Sequence, residues 1–169
     1  MAEISLKGQS IHTHGDLPKL GQAAPDFVLT KMNLKDVSLG NFTGKRKVIS
    51  IFPSLDTPVC ATSTKYFNEM DYGSDTVVLT VSVDLPFAIQ RFCKQEKIKN
   101  VINLSMIRSR DFALDYGVLM TDGPLAGLMA RAVIVLDADN KVIYKELVSE
   151  LSDEPDYKQL ATALATPAG

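Results

Sequence analysis

The sequence predicts an α/β domain with a mixed central sheet, flanking helices and an N-terminal β-hairpin. Residues 76–84 (TVVLTVSVD) form the clearest strand segment, because they are rich in β-branched side chains. Segments with helical patterning lie between the strand segments, and this alternation favours an α/β sheet. The chain shows neither repeats nor low-complexity tracts. We therefore expect residues 1–169 to form one domain.

Two hairpins are predicted. Residues 4–15 alternate apolar and polar side chains around Gly8, which is typical of two short strands joined by a tight turn. Residues 130–137 and 141–147 flank the turn sequence ADN and predict the second hairpin. Because hairpin strands are antiparallel, the sheet is expected to be mixed rather than fully parallel.

Two further strands are expected earlier in the chain. One lies near residues 27–29, after a stretch punctuated by Pro and Gly. The other is KVISIF, residues 47–52, an apolar run typical of a buried strand. The densest basic run, GKRK at residues 44–47, precedes it and is interpreted as a solvated turn.

Four helices are expected between and after these strands. In the last one, Asp153 is the predicted N-cap and Pro155 lies near the first turn. The predicted helices cover Val59 or Cys60 toward Met70, residues 87–97, residues 111–117 and residues 154–165.

Composition excludes several classes of partner. The net charge is -2, with 18 Lys and Arg against 20 Asp and Glu, so a nucleic-acid-binding surface is not expected. No segment approaches the ~20 apolar residues that a membrane span needs, and the first residues lack the apolar core of a signal peptide. We therefore expect a cytoplasmic protein without membrane contact. In that compartment, two cysteines favour a catalytic or redox role over a permanent disulfide.

The segment PSLDTPVC, residues 53–60, places the first cysteine where a helix is expected to begin. Pro58 is tolerated at a helix start, and it disfavours helical geometry at Thr57 before it. The first turn of a helix favours a thiolate, because its free N–H groups and the helix dipole present positive charge. Cys60 is therefore a candidate nucleophile. Alternatively, Cys60 is a small core residue and Thr57 an ordinary capping residue.

The spacing of Pro53, Thr57 and Cys60 is P-x-x-x-T-x-x-C, and here the sequence resembles the peroxiredoxins. The longer run FPSLDTPVC is similar to that of the thiol peroxidases, the atypical two-cysteine branch. Other matching segments are LPFAIQRFC at residues 85–93, GPLAGLMARAVIVLD at residues 123–137, and EPDY near the C-terminus. The resemblance thus extends over nearly the whole chain.

The resemblance implies a thioredoxin-like fold and a set of site residues. It implies that Cys60 is the peroxidatic cysteine and Cys93 the resolving cysteine, joined by an intramolecular disulfide during turnover. Thr57, Arg131 and Pro53 complete the implied site. It also implies hydroperoxide substrates, with alkyl or lipid hydroperoxides expected, thioredoxin as the reductant, and a homodimer. No cofactor and no metal are expected.

The chemistry of these residues suits that activity. A thiol has an unperturbed pKa of about 8.5, so its anion must be favoured for attack near pH 7. The guanidinium of Arg131 stays charged and offers several donors in a fixed fork, both to the sulfur and to the departing oxygen. We expect Thr57 to donate to the peroxide oxygen and Pro53 to shape the pocket. By sequence position alone, other arginines are nearly as suitable, namely Arg46, Arg91, Arg108 and Arg110.

Cys93 lies in a predicted helix at the border of an apolar face, with Phe92 beside it and Lys94 on its other side. A passive core thiol is the alternative to a resolving one. A disulfide needs Cα atoms about 5.5 Å apart, and two cysteines in different helices need not satisfy this distance in the reduced fold. We therefore expect a local rearrangement in each cycle.

Four functions from other classes remain as alternatives. A zinc module would use His12 and His14 with the two cysteines, although their spacing does not match compact zinc sites. A cysteine hydrolase would need one of these histidines as its base. A redox sensor would use the same two thiols without turnover. An interaction protein would use residues 105–129, whose apolar side chains and glycines also suit a subunit contact.

Overall fold

The computed structural model describes residues 1–165. Within that range a short 3₁₀ helix spans Leu39–Phe42. The strands are β1 (Glu3–Leu6), β2 (Gln9–His12), β3 (Leu29–Lys31), β4 (Asp36–Val37), β5 (Arg46–Ile51), β6 (Thr76–Ser82), β7 (Ile102–Ser105), β8 (Ala132–Leu136) and β9 (Val142–Leu147), and the α-helices are α1 (Pro58–Glu69), α2 (Pro86–Glu96), α3 (Asp111–Asp115) and α4 (Tyr157–Leu164).

Seven strands form a mixed sheet in the order β4-β3-β7-β6-β5-β8-β9. β5 pairs in parallel with β6, and β6 with β7, whereas the other pairs are antiparallel. The predicted mixed sheet is therefore confirmed. Ile51 is opposite Val81, so β5 and β6 end at the same edge of the sheet. The loops that lead into α1 and α2 consequently lie side by side.

Side-chain alternation along the central strands gives the sheet two buried faces. Val48 and Val133 point to the face that packs against α1, α2 and α4. Ile49 and Ile134 point to the opposite face, where α3 and the 3₁₀ helix pack. All four side chains are fully buried. Burying both faces of β5 and β8 fixes the register of these strands and thereby the positions of their ends.

The predicted N-terminal hairpin is confirmed as β1 and β2, paired antiparallel. Its turn residues, Lys7 and Gly8, have φ angles of 51° and 81°, which a two-residue hairpin turn requires and which glycine adopts without strain. Ile4 and Ile11 pack in a small core with Ala130 and Leu151. The hairpin therefore lies over the chain just before β8 and just after β9.

The interpretation of GKRK, residues 44–47, as a solvated turn was wrong in part. Lys45 is exposed, but Arg46 and Lys47 begin β5 and are buried. Lys47 is accommodated because its ammonium donates to Asn140 Oδ1 at 2.6 Å. The basic pattern alone did not reveal this partner, which follows β8 in the chain.

The predicted N-cap of the last helix was also wrong. Asp156, rather than Asp153, caps α4, and its side chain accepts the N–H of Gln159 at 3.1 Å. Pro155 precedes this cap instead of lying within the first turn, so the helix begins three residues later than the sequence pattern indicated. The short strands β4 and β7 were not predicted.

No helix in the described part of the chain is long and apolar enough to cross a membrane. The interpretation of residues 1–169 as one domain stays a prediction.

Candidate active site

Cys60 lies in the first turn of α1, as predicted from the segment PSLDTPVC. Thr57 is the N-cap in extended conformation and Pro58 is the first helical residue. The side chain of Cys60 is completely buried, and its thiol is free. Pro53, between β5 and this helix, is also buried. The sulfur therefore lies at the dipole-positive end of α1 in a site shielded from bulk water.

Arg131 contacts the Cys60 sulfur directly. Its Nη1 donates to Cys60 Sγ at 3.2 Å, and only 3% of the arginine is exposed. The sheet register brings the two residues together. Ile51 at the end of β5 is opposite Ala132 at the start of antiparallel β8, so the residue before β8 lies beside the loop that follows β5. A guanidinium held this close favours the anionic form of the sulfur.

The fork of Arg131 is fixed by one backbone carbonyl. Its Nε and Nη2 both donate to the carbonyl oxygen of Leu151, at 3.3 and 3.0 Å. Leu151 is in turn held by the hairpin, since its N–H donates to the Ser5 carbonyl at 2.8 Å. The edge of the guanidinium formed by Nε and Nη2 is thus oriented by backbone, and Nη1 is directed at the sulfur.

Glu150 ties the same loop to the hairpin turn. Its carboxylate accepts the Ser5 hydroxyl at 2.7 Å and the backbone N–H of Lys7 at 2.9 Å, and it also accepts the hydroxyl of Ser152. Hydrogen bonds from Ser152, Lys7 and Ser5 lower the pKa of Glu150 to about 2. This carboxylate is therefore ionised at neutral pH.

The hydroxyl of Thr57 is oriented differently from the expectation. Its Oγ1 donates to the carbonyl oxygen of Ser54 at 3.0 Å, and the Thr57 N–H donates to the same oxygen at 3.1 Å. The side chain forms no capping bond to the helix. Because a hydroxyl carries a single proton, Thr57 in this conformation offers lone pairs to a substrate rather than a proton.

Cys93 lies in the last turns of α2 and is also a free thiol. Only 5% of it is exposed, and it belongs to the same buried cluster as Cys60 and Phe67. Burial raises the pKa of the Cys93 thiol from 9.0 to about 11. Cys93 is therefore held as a neutral thiol at neutral pH, while Cys60 faces a cation. The two thiols are differentiated by their surroundings.

The structure shows which of the five arginines contacts the Cys60 sulfur, a choice that sequence position alone did not allow. Arg131 reaches the sulfur. Arg46 donates to Thr76 at the start of β6, and Arg108 forms an exposed ion pair with Asp36. Arg91 is exposed on α2, and Arg110 precedes α3.

The residues named by the zinc alternative are not assembled into a site. His12 pairs with Asp122 at 2.7 Å at the end of the hairpin. Within residues 1–165 no three His, Cys, Asp or Glu side chains come close enough to hold a metal ion.

Three polar residues near the site were missed by sequence reasoning. Ser54 and Asp84 are hydrogen bonded to each other across the two adjacent loops, at 2.6 Å. Glu150, the third, joins the loop after β9 to the hairpin turn. A signal for Asp84 existed, because Ser82 and Asp84 place polar side chains where the apolar run of β6 ends, at the edge where α/β proteins bind ligands.

Comparison with known proteins identifies the family. The profile of the Redoxin family matches residues 19–161, which is most of the chain. The chain belongs to the redoxin family. It is 49% identical over 164 residues to the thiol peroxidase of Mycobacterium tuberculosis (strain ATCC 25618 / H37Rv), an alignment that covers 97% of this chain and 99% of that protein.

Solved structures agree with this assignment. A peroxiredoxin-like protein from Aquifex aeolicus superposes with a TM-score of 0.92 at 40% identity and covers 98% of this chain and 96% of its own. The thiol peroxidase from Chromobacterium violaceum superposes with a TM-score of 0.87 at 28% identity, covering 96% and 95%. The predicted thioredoxin-like peroxiredoxin fold is therefore confirmed, as is the predicted class of redoxin enzyme, a thiol-dependent peroxidase.

We predict that Arg131→Lys lowers the rate of peroxide reduction by at least roughly tenfold, about 1.4 kcal/mol of barrier, because lysine keeps the charge but loses the fork. Arg131→Met removes the charge as well and should cost more. The second-order rate constant with hydrogen peroxide measures both effects. Arg108→Lys is the matched control, since Arg108 is exposed and paired with Asp36. An Arg131→Met variant as fast as the wild type would contradict the assignment.

We also predict that burial of Cys93 makes stability depend on alkaline pH. The thiol ionises near pH 9 in the unfolded chain but near pH 11 in the folded one, so its contribution is complete below pH 9 and is lost as the pH rises toward 11. The difference corresponds to about 2–3 kcal/mol.

Urea unfolding of the reduced protein between pH 8 and 11, compared with Cys93→Ser, measures this contribution. All other ionisable groups are common to both proteins, so their contributions cancel in the comparison. The stability of the wild type should fall more steeply than that of the variant. Parallel curves would show that Cys93 is not held as a neutral thiol.

Proposed function

We propose that this redoxin reduces hydroperoxides with Cys60 as the peroxidatic cysteine and Cys93 as the resolving cysteine. The observation that carries the proposal is the 3.2 Å contact between Arg131 Nη1 and the buried Cys60 sulfur at the start of α1. A thiolate, a fixed cation and a helix N-terminus converge there. This combination favours both attack by sulfur and stabilisation of the oxygen anion that departs.

In the first step, the Cys60 thiolate attacks the outer oxygen of the hydroperoxide. A sulfur–oxygen bond forms and the oxygen–oxygen bond breaks with its electron pair on the departing oxygen, which takes up a proton and leaves as water or an alcohol. Cys60 is then a sulfenic acid. Arg131 stabilises the charge on the departing oxygen, because its fork is already oriented by Leu151 and needs no reorganisation.

Thr57 and Pro53 orient the substrate. Since the Thr57 hydroxyl donates to Ser54, its oxygen is free to accept the O–H of a hydroperoxide, which holds that outer oxygen beside the sulfur that attacks it. Pro53 contributes no polar group and walls the site against water, which would compete for the same hydrogen bonds.

In the second step, the Cys93 thiol displaces the sulfenic oxygen as water and forms the Cys60–Cys93 disulfide. The Cys60 sulfur must leave Arg131 for this. The early part of α1 suits such an opening, because the hydroxyls of Thr62 and Ser63 donate back to the Pro58 and Cys60 carbonyls, which weakens a helix.

Two electrons and two protons from an external dithiol then restore both cysteines, and we propose thioredoxin as that dithiol. A disulfide broken in every cycle cannot be as resistant to reduction as a structural one. We further propose alkyl or lipid hydroperoxides as substrates, a cytoplasmic location and a homodimer. Ile107 and Leu114, exposed in the segment 105–129, are candidates for the dimer contact, which sedimentation analysis tests.

Cys60→Ser should abolish peroxide reduction and keep the fold, because serine is nearly isosteric with cysteine. Peroxide consumption with thioredoxin, thioredoxin reductase and NADPH measures the activity, and thermal unfolding checks the fold. The assay also distinguishes an enzyme from a redox sensor, since only an enzyme turns over many equivalents. Substantial turnover by the variant would falsify the assignment of Cys60.

Cys93→Ser should separate the two steps. Because Cys60 is intact, the variant should consume about one equivalent of peroxide per chain, then stall with thioredoxin and accumulate sulfenic and sulfinic acid on Cys60. Mass spectrometry of the oxidised chains measures these products. Non-reducing electrophoresis of the oxidised wild type should show monomer-sized chains. Covalent dimers that vanish in Cys93→Ser would place the disulfide between subunits instead.

A further inference from the structure

Asp84 occupies the loop between β6 and α2, beside the loop that carries Pro53 and Thr57. Its carboxylate accepts the Ser54 hydroxyl at 2.6 Å and the Leu55 N–H at 2.8 Å. It also accepts the Ser82 hydroxyl at 2.7 Å. Within residues 1–165, no Lys, Arg or His side chain forms an ion pair with Asp84. Two of the three hydrogen bonds of this carboxylate therefore hold the loop that carries Pro53 and Thr57 and leads to Cys60.

Ser54 connects Asp84 to Thr57 through hydrogen bonds. The Ser54 hydroxyl donates to Asp84 and accepts the N–H of Asp56 at 3.1 Å. Its carbonyl accepts both the N–H and the hydroxyl of Thr57. Residues 54–57 thus form a closed turn whose outer anchor is Asp84. The direction of the Thr57 lone pairs, one turn of helix before Cys60, depends on that anchor.

We propose that Asp84 is a positioning residue for the peroxide step. Its carboxylate fixes the turn at Ser54, and Ser54 in turn orients the Thr57 oxygen toward the substrate beside Cys60. The inference rests on the proposed function, because it assigns Asp84 a part in the reaction of Cys60 with a hydroperoxide.

If Asp84 acted only through its charge, its removal would change the rate of Cys60 oxidation in the opposite direction. A carboxylate near the site disfavours the Cys60 thiolate, so removal of its charge would speed the reaction of the sulfur. Loss of positioning slows oxidation by peroxide without reducing the reactivity of the thiolate itself. Asp84→Asn keeps the shape but directs an amide N–H₂ at donors that need acceptors, so it discriminates between the two roles.

Asp84 also belongs to the connection that precedes the helix of Cys93. Its backbone carbonyl accepts the Ser105 hydroxyl at 2.6 Å, which fixes this connection to the end of β7. The carboxylate thus joins the loop of the attacking cysteine to an anchored segment. The peroxidatic turn must be held for the first step, whereas the second step needs Cys60 to move away. Loss of the anchor should therefore slow the first step but not the second.

Single-turnover rapid quench with hydrogen peroxide and mass spectrometry resolves the two steps. Cys60 oxidation in Asp84→Asn should be at least roughly tenfold slower than in the wild type, with disulfide formation no slower. Ser54→Ala should slow oxidation similarly, and the effects of the two substitutions should be less than additive in the double variant, because they share the contact between Ser54 and Asp84. Ser82→Ala is the control. It removes the hydrogen bonds of the Ser82 hydroxyl with the Asp84 carboxylate and N–H but leaves both bonds from the carboxylate to Ser54 and Leu55, so its oxidation rate should stay within about twofold of the wild type.

Alkylation by iodoacetamide without peroxide supplies the independent readout. Its rate at Cys60 should be unchanged or higher in Asp84→Asn. The proposal is overturned if Asp84→Asn and Ser54→Ala are oxidised at the wild-type rate. It is also overturned if the rates of Cys60 oxidation, disulfide formation and alkylation all fall by the same factor in these variants. If Asp84→Asn fails to fold, Ser54→Ala decides the question with the same measurements. An inactive wild type would reject the proposed function, whereas an active wild type with fully active Asp84 and Ser54 variants rejects only this inference.

Discussion

The contact between the Arg131 guanidinium and the Cys60 sulfur is the interaction on which the rest of this structure depends. A buried charge costs several kcal/mol unless hydrogen bonds replace its water, and Arg131 is almost completely buried. One carbonyl oxygen, that of Leu151, supplies most of the replacement. The Cys60 sulfur accepts the remaining hydrogen bond, and the hairpin holds Leu151 in place through the Ser5 carbonyl. The N-terminal hairpin is therefore part of the active-site support, even though it lies outside the seven-stranded sheet.

Sequence patterns predicted the parts of the fold in which local and tertiary preferences agree. The β-branched run of β6, the Gly8 turn and the Pro58 helix start each carry a direct physical signal, and the structure has all three. Short β4 and β7 lack such a signal, since neither carries a β-branched run like that of β6 or adjoins a glycine turn like that of the N-terminal hairpin. The burial of Lys47 depends on Asn140, a contact far along the chain that no local pattern encodes.

The site residues also differ in whether a local sequence signal predicts them. Cys60 could be proposed from its own helix start, whereas the choice of Arg131 among five arginines came from family resemblance alone. Its physical reason is the register of β5 against β8, which a single sequence does not reveal. The hydroxyl of Thr57 could not be assigned either, because donation to Ser54 depends on the closed turn of residues 54–57. Residue types could thus be predicted better than hydrogen-bond directions.

The two proposed steps place opposite demands on α1, and the distribution of contacts along the helix reconciles them. Its second half is tied to the end of α2 and the residues that follow, through the ion pair of Lys65 with Glu96 at 2.8 Å and through Asn68, which accepts the N–H groups of Lys99 and Asn100. The first turns carry hydroxyl side chains with low helix propensity instead. Just after them, in the middle of the helix and one turn after Cys60, Thr64 is completely buried, and its hydroxyl has no hydrogen-bond partner within residues 1–165. An unpaired buried hydroxyl lowers the stability of the helical conformation by about 1–3 kcal/mol. This penalty is removed when the helix opens and the hydroxyl binds water. The helix is thus least stable around the sulfur that has to move and most firmly held where the rest of the protein needs it to stay.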